Sequence, residues 1–91
     1  MSIYDSVKRN IEQGKEEGYY RAEINTDIIS TMRMVLVETA FDDKAFPHDK
    51  FNISDVQVQL FEHFVYGLVT EKGKKLYQKY KEQNLQPSSI L

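Results

Sequence analysis

Few side chains in this 91-residue chain are of types that do chemistry, and their spacing decides what each can be for. His48 stands among Asp42, Asp43 and Asp49 in the stretch DDKAFPHDKFNI, and one imidazole with several carboxylates is a donor set that suits a divalent ion. The spacing matches no defined metal loop, and a hydrated acidic loop is the simpler reading. His63 follows Glu62 without completing HExxH, so a solvated imidazole is expected there. Ser2, Ser6, Ser30, Ser54, Ser88 and Ser89 have neither a glycine elbow nor a histidine close by, and the chain has no cysteine. Glu16–Glu17 and Asp42–Asp43 are adjacent pairs, and helix neighbours do not face one another across a site. Neither GxxxxGK[ST] nor GxGxxG is present to cradle a phosphate. The residues imply no enzyme, no metal and no cofactor.

Charge and composition narrow the classes further. The formal net charge is −2, divided unevenly: residues 71–82 hold five Lys and two Glu, and the remainder holds seven basic against twelve acidic residues. A nucleic-acid binder shows a domain-wide basic excess, so no direct nucleic-acid contact is expected. The lysines read as the wet face of a last helix whose C-terminal end favours cations. The absence of cysteine fits a reducing compartment. With no secretory signal and no apolar run of about 18 residues, a cytoplasmic protein without a membrane span is expected. Six Tyr and five Phe argue for a packed core. The length suits a single domain over residues 1–86, with 87–91 a frayed tail beyond Pro87.

The elements that must carry these residues are helical, and the predicted fold is all-α: four helices in an antiparallel arrangement. The first starts at Ser2, with Asp5 completing a capping box, and stops at Gly18. Its apolar stripe is Ile3, Val7 and Ile11. The second restarts at Asn25 or Thr26 with Asp27 in its first turn. Its main face is Ile28, Met32, Val35 and Leu36, widened by Ile29 and Ala40. Residues 42–53 form a linker around Pro47. The third helix is predicted from an N-cap at Ser54 to about Val69. Thr70 caps the fourth, whose stripe is Leu76, Tyr77 and Tyr80.

The third helix is unusually apolar. At ~100° per residue, Val56, Leu60, Phe64, Leu68, Phe61, Val65, Val58 and Val69 span roughly 220° of the wheel, about twice the stripe a surface helix needs. Three companion helices of so short a chain are expected to cover one flank only. Contiguous apolar surface above ~300 Å² on a soluble monomer marks an interface, so a second buried contact is predicted. The expected self-contact is Val58, Phe61, Val65, Tyr66, Leu76, Tyr77 and Tyr80. Met32, Leu36, Phe64 and Leu68 are expected to line the core or a pocket for a small apolar effector.

One feature exceeds what a helix–helix turn needs: the Tyr19-Tyr20-Arg21 insert after Gly18. With Gly18, Tyr20 and Arg21, then Glu23, Ile24 and Asp27, and later Gly67, Leu68, Thr70 and Gly73, the chain resembles the C-terminal half of TetR-family transcriptional regulators over about residues 11–80. The resemblance implies an effector-sensing repressor domain that forms a homodimer by its last two helices, as a four-helix bundle with its twin. Gly18, Tyr20 and Arg21 would be a structural hinge. The family's helix-turn-helix has no counterpart in these residues, so DNA binding does not carry over. A small helical adaptor that binds a partner's helix in a groove is the alternative from another class.

Overall fold

The computed structural model describes residues 2–83 and is all-helical. Its elements are α1 (Ile3–Glu16), α2 (Thr26–Ala40), α3 (Ile53–Leu68) and α4 (Glu71–Glu82). Among the described residues there is no strand, only an isolated antiparallel bridge between Tyr20 and Val69. Residues 84–86 of the expected domain, and the expected tail 87–91, lie outside the described residues.

Each helix begins where a side-chain oxygen can accept an orphan amide. Asp5 N donates to Ser2 Oγ (3.1 Å) while Ser2 N donates to Asp5 Oδ2 (3.4 Å), closing the box on α1. Asn25 Oδ1 accepts from Ile28 N (3.0 Å) and Thr70 Oγ1 from Gly73 N (3.1 Å). At α3 the cap is Asn52 rather than Ser54: its Oδ1 accepts from Asp55 N at 3.2 Å, and the helix starts at Ile53. Asn is at least as good a cap as Ser, and each cap contributes about 1 kcal/mol. Ser54 therefore becomes an ordinary second residue of the helix.

The core forms around α3. On one flank Ile11 of α1, Tyr20 and Ile24 of the α1–α2 loop, and Phe64 and Leu68 of α3 are buried together, with Val7, Tyr19, Ile29, Leu36 and Val69 packed against them. On the other flank Phe61 and Val65 are buried with Tyr77 of α4, and Val69 touches this cluster as well. At roughly 1.5–3 kcal/mol per buried large apolar side chain, these few residues supply most of the apolar driving force.

Two expectations are corrected. The self-contact residues Phe61, Val65 and Tyr77 are covered by the chain itself, with Val65 fully buried. The α1–α2 loop shields one flank of α3 and a single α4 tyrosine shields the other, so fewer helices suffice than a wheel suggests. The face of α2 is also rotated. Leu36, Ile29 and Ala40 of the expected face do turn inward, but Ile28, Met32 and Val35 are exposed, and the buried Ser30 takes a place that was not expected of it. With Met34-Val35-Leu36-Val37 apolar on consecutive positions, the period of α2 does not choose a face. Its small Ser30 and Ala40 allow close packing, and both are turned inward.

Candidate functional site

The Tyr19-Tyr20-Arg21 insert meets the α3–α4 junction. Gly18 sits at φ +80°, the left-handed conformation that ends a helix at little cost for glycine. Gly18 N donates to Lys15 O (3.1 Å) and Tyr19 N to Gly14 O (2.9 Å), which pairs two of the carbonyls in the last turn of α1. The chain then runs alongside residues 67–70. Arg21 N donates to Leu68 O (2.9 Å) and Thr70 N to Tyr19 O (3.0 Å). Thr70 Oγ1 donates to Gly18 O (2.6 Å) and lies 3.2 Å from Tyr19 O.

Side chains tighten this clasp from both ends. Arg21 Nη2 donates to Gly67 O at 2.7 Å, and its Nη1 pairs with Glu23 at 3.1 Å. Lys72 Nζ reaches back to Glu17 O at 2.9 Å and stands 4.7 Å over the Tyr19 ring. Gly73 belongs here for a steric reason. A Cβ at that position would overlap the Tyr19 carbonyl oxygen. Tyr20 is buried, and burial pushes its phenol well above the ordinary tyrosine value.

The residues expected at the self-contact divide into two layers. Phe61, Val65 and Tyr77 lie inside. Val58 (58% exposed) and Tyr66 are on the surface, and Leu76 and Tyr80 are half-buried. Tyr66 packs edge-on against Tyr77 with ring centroids 5.4 Å apart, so part of the surface layer rests directly on the inner one. Burial raises the Tyr77 phenol, helped by the Glu62 carboxylate. Glu62 in turn pairs with Lys81 at 3.2 Å and holds its ammonium charged above the usual range.

The four residues expected to line a pocket are not brought together. Phe64 and Leu68 are buried in the core. Met32 and Leu36 instead line a shallow groove of about 410 Å³ along α2, with Asp27, Ile28, Thr31 and Val35. Its lining is almost entirely apolar apart from Asp27 at one end and Thr31, and Asp27 is engaged by Lys8 at 3.0 Å.

The histidine loop holds no ion cage. His48 N donates to Asp43 Oδ1 (2.8 Å), and His48 Nδ1 is 3.6 Å from the same oxygen. These bonds fold the turn, and Phe46 and Phe51 close it edge-to-face at 5.7 Å. Among the described residues no three His, Asp or Glu side chains gather as metal ligands. No described helix is long and apolar enough to cross a membrane.

Sequence reasoning passed over Arg33, which the fold lays over the Phe61 ring at 4.8 Å to the centroid. Its signal was a lone cation inside an apolar run, Met32-Arg33-Met34. Comparison with known proteins adds no assignment: no family model matches the chain, and neither curated proteins nor solved structures yield a match.

Proposed function

We propose that this chain is an effector-sensing and self-association domain, similar to the regulatory half of TetR-type transcriptional repressors, non-enzymatic and without DNA contact of its own. The observation that supports the reading is the clasp. Of the three sets of residues that carry the resemblance, two that lie far apart in sequence, Gly18-Tyr20-Arg21 and Gly67-Leu68-Thr70-Gly73, bond to each other. Their joint occurrence then has a single physical cause, because neither set can do its work without the other. A chance likeness of two short motifs would give no reason for them to meet.

On this reading the self-contact uses the outward layer of the last two helices: Val58, Tyr66, Leu76 and Tyr80. Phe61, Val65 and Tyr77 support that layer from beneath. The α2 groove at Met32 and Leu36 is where a small apolar effector would lie. The same groove, with Ile28, Met32, Val35 and Leu36 at the spacing of one helix face, also supports the second reading, an adaptor that receives a partner's helix.

Sedimentation equilibrium over the micromolar range, on the wild type and on Val58→Asp, tests the choice. A wild-type dimer that Val58→Asp converts to a monomer with unchanged circular dichroism supports the regulator reading, since a charge in an apolar contact is desolvated at a cost of several kcal/mol. A wild type that stays at 10.7 kDa throughout refutes self-association.

A further inference from the structure

Two cations bracket two aromatic rings across the α2–α3–α4 packing. Arg33 lies 4.8 Å over Phe61, the Phe61 and Tyr77 centroids are 6.4 Å apart, and Lys81 lies 5.5 Å over Tyr77. The two ends of this row are treated differently. At one end Glu62 neutralises Lys81 at 3.2 Å. At the other, the Arg33 guanidinium meets no carboxylate and no hydrogen-bond acceptor among the described residues.

Arg33 is the one half-buried cation in this condition. Lys8 is held by Asp27 and Lys15 by the Ile24 carbonyl, and the remaining described cations are exposed. Partial burial already pulls the guanidinium below its ordinary value, with no neighbouring charge to offset it. A guanidinium carries five N–H donors in a planar fork that matches a carboxylate, and a ring beneath it leaves the edge of that fork free.

We propose that the Arg33 end of this row is a receptor for a carboxylate supplied by a second copy of the chain. The inference rests on the self-association reading above. Charge complementarity names the partner: outside residues 71–82 the chain carries twelve acidic against seven basic residues, so its own surface is rich in the required group. Position agrees, because Val58 of the exposed layer stands one turn before Phe61 on α3, close to where Arg33 is stacked. The contact is an ion pair at the rim of an apolar patch, a place where charge sets register and specificity.

Sedimentation equilibrium of wild type, Arg33→Met and Arg33→Lys at low and high salt tests the proposal. Met keeps an unbranched stem on Phe61 and removes every donor. The wild-type dimer should weaken as salt rises, and Arg33→Met should raise the dissociation constant about tenfold at low salt while losing most of that salt dependence. Arg33→Lys keeps the charge without the fork and should fall between them. It also serves as the decisive variant should Arg33→Met alter the circular dichroism. A dimer whose dissociation constant and salt slope are the same in all three proteins overturns this proposal and leaves self-association standing. A wild type that never dimerises overturns both.

Discussion

Replacing Gly73 by alanine sets two opposed effects against each other, and the clasp decides between them. Gly73 lies in α4, where alanine would ordinarily gain about 1 kcal/mol over glycine in helix propensity. Here the added methyl would overlap the Tyr19 carbonyl oxygen, and its carbon would lie 2.9 Å from the Tyr19 carbonyl carbon. That carbonyl is backbone, held by Thr70 N at 3.0 Å, and cannot rotate away as a side-chain end would. The clasp must part instead. Loss of the Thr70 N bond to Tyr19 O and of the Thr70 Oγ1 bond to Gly18 O costs about 1–3 kcal/mol at ~0.5–1.5 each. Overpacking strain of about 1–3 kcal/mol adds to this. After subtracting the propensity gain, Gly73→Ala should be less stable by about 3 kcal/mol, a fall in Tm of about 15 °C for a domain of this size.

Gly67→Ala is the internal control. Its added methyl would meet nothing within 4 Å, so the same chemical change at a helix position should raise stability by about 0.5–1 kcal/mol. Urea unfolding followed by far-UV circular dichroism measures both variants. Opposite signs at the two glycines are expected. If Gly73→Ala matches or exceeds the wild type while Gly67→Ala gains, the Tyr19–Gly73 approach is not a constraint and the clasp reasoning fails.

Other outcomes follow from single buried groups. Ser30 is fully buried and its Oγ has no hydrogen-bond partner among the described residues, so Ser30→Ala should stabilise the domain by about 1 kcal/mol in the same urea assay; a loss would mean that the hydroxyl is satisfied. Tyr20 and Tyr77 both have phenols raised by burial. A raised folded-state pKa contributes stability that is complete below the unfolded value near ~10 and is lost as pH rises past it. Unfolding by alkali should therefore set in above about pH 10 and be shallower in the Tyr20→Phe/Tyr77→Phe double variant, read by circular dichroism against phenolate absorbance; identical alkaline profiles would refute the assignment. Phe61→Ala should destabilise the monomer by about 3 kcal/mol, since Phe61 is packed inside the chain with Val65 and Tyr77. A Phe61→Ala protein as stable as wild type would mean that this cluster contributes little.

The helices were legible because their signals are local. Ser2 with Asp5, Asn25, Thr70 and Gly18 each act within four residues, and each does so in the structure. Facing was less legible. Of the apolar residues that the wheel of α3 marked, Phe64 and Leu68 are covered in the core as expected, Phe61 and Val65 are covered by the chain itself rather than by a twin, and Val58 is exposed. What covers them could not be read, because Tyr20 and Ile24 come from a loop that carries no periodicity. On α2 the difficulty was the reverse. Four consecutive apolar residues, Met34 to Val37, blur the period. Leu36, Ile29 and Ala40 of the expected face do turn inward while Ile28, Met32 and Val35 do not, and the buried Ser30 is a residue that a hydrophobicity pattern ranks low.

The clasp explains why an insert that looked superfluous is where it is. α1 ends at Glu16, and the amides of Glu17, Gly18 and Tyr19 pair the carbonyls of Gln13, Lys15 and Gly14, so nothing local requires two tyrosines and an arginine after it. The requirement comes from the α3–α4 junction. Leaving α3, Val69 turns to extended backbone (ψ 149°) and exposes the carbonyls of Gly67 and Leu68 and the amide of Thr70. Left unpaired, the Leu68 carbonyl and the Thr70 amide, which belong to buried and half-buried residues, would each cost about 1–3 kcal/mol. Arg21 N and Nη2 take the two carbonyls, and Tyr19 O takes the amide. Tyr20, between these partners in the chain, points into the core beside Leu68. One extended tripeptide thus supplies two donors, one acceptor and one core ring, alternating along the chain as strand geometry requires. The direction in which α4 leaves α3, and with it the cover over Phe61 and Val65, is set by the loop that ends α1. A change at Arg21 or Thr70 should therefore be felt at Tyr77, and protection of α4 amides from hydrogen exchange in Thr70→Val is the measurement that decides it: α4 amides alone should exchange faster, whereas uniform acceleration through all four helices would show that α4 is not set by this loop.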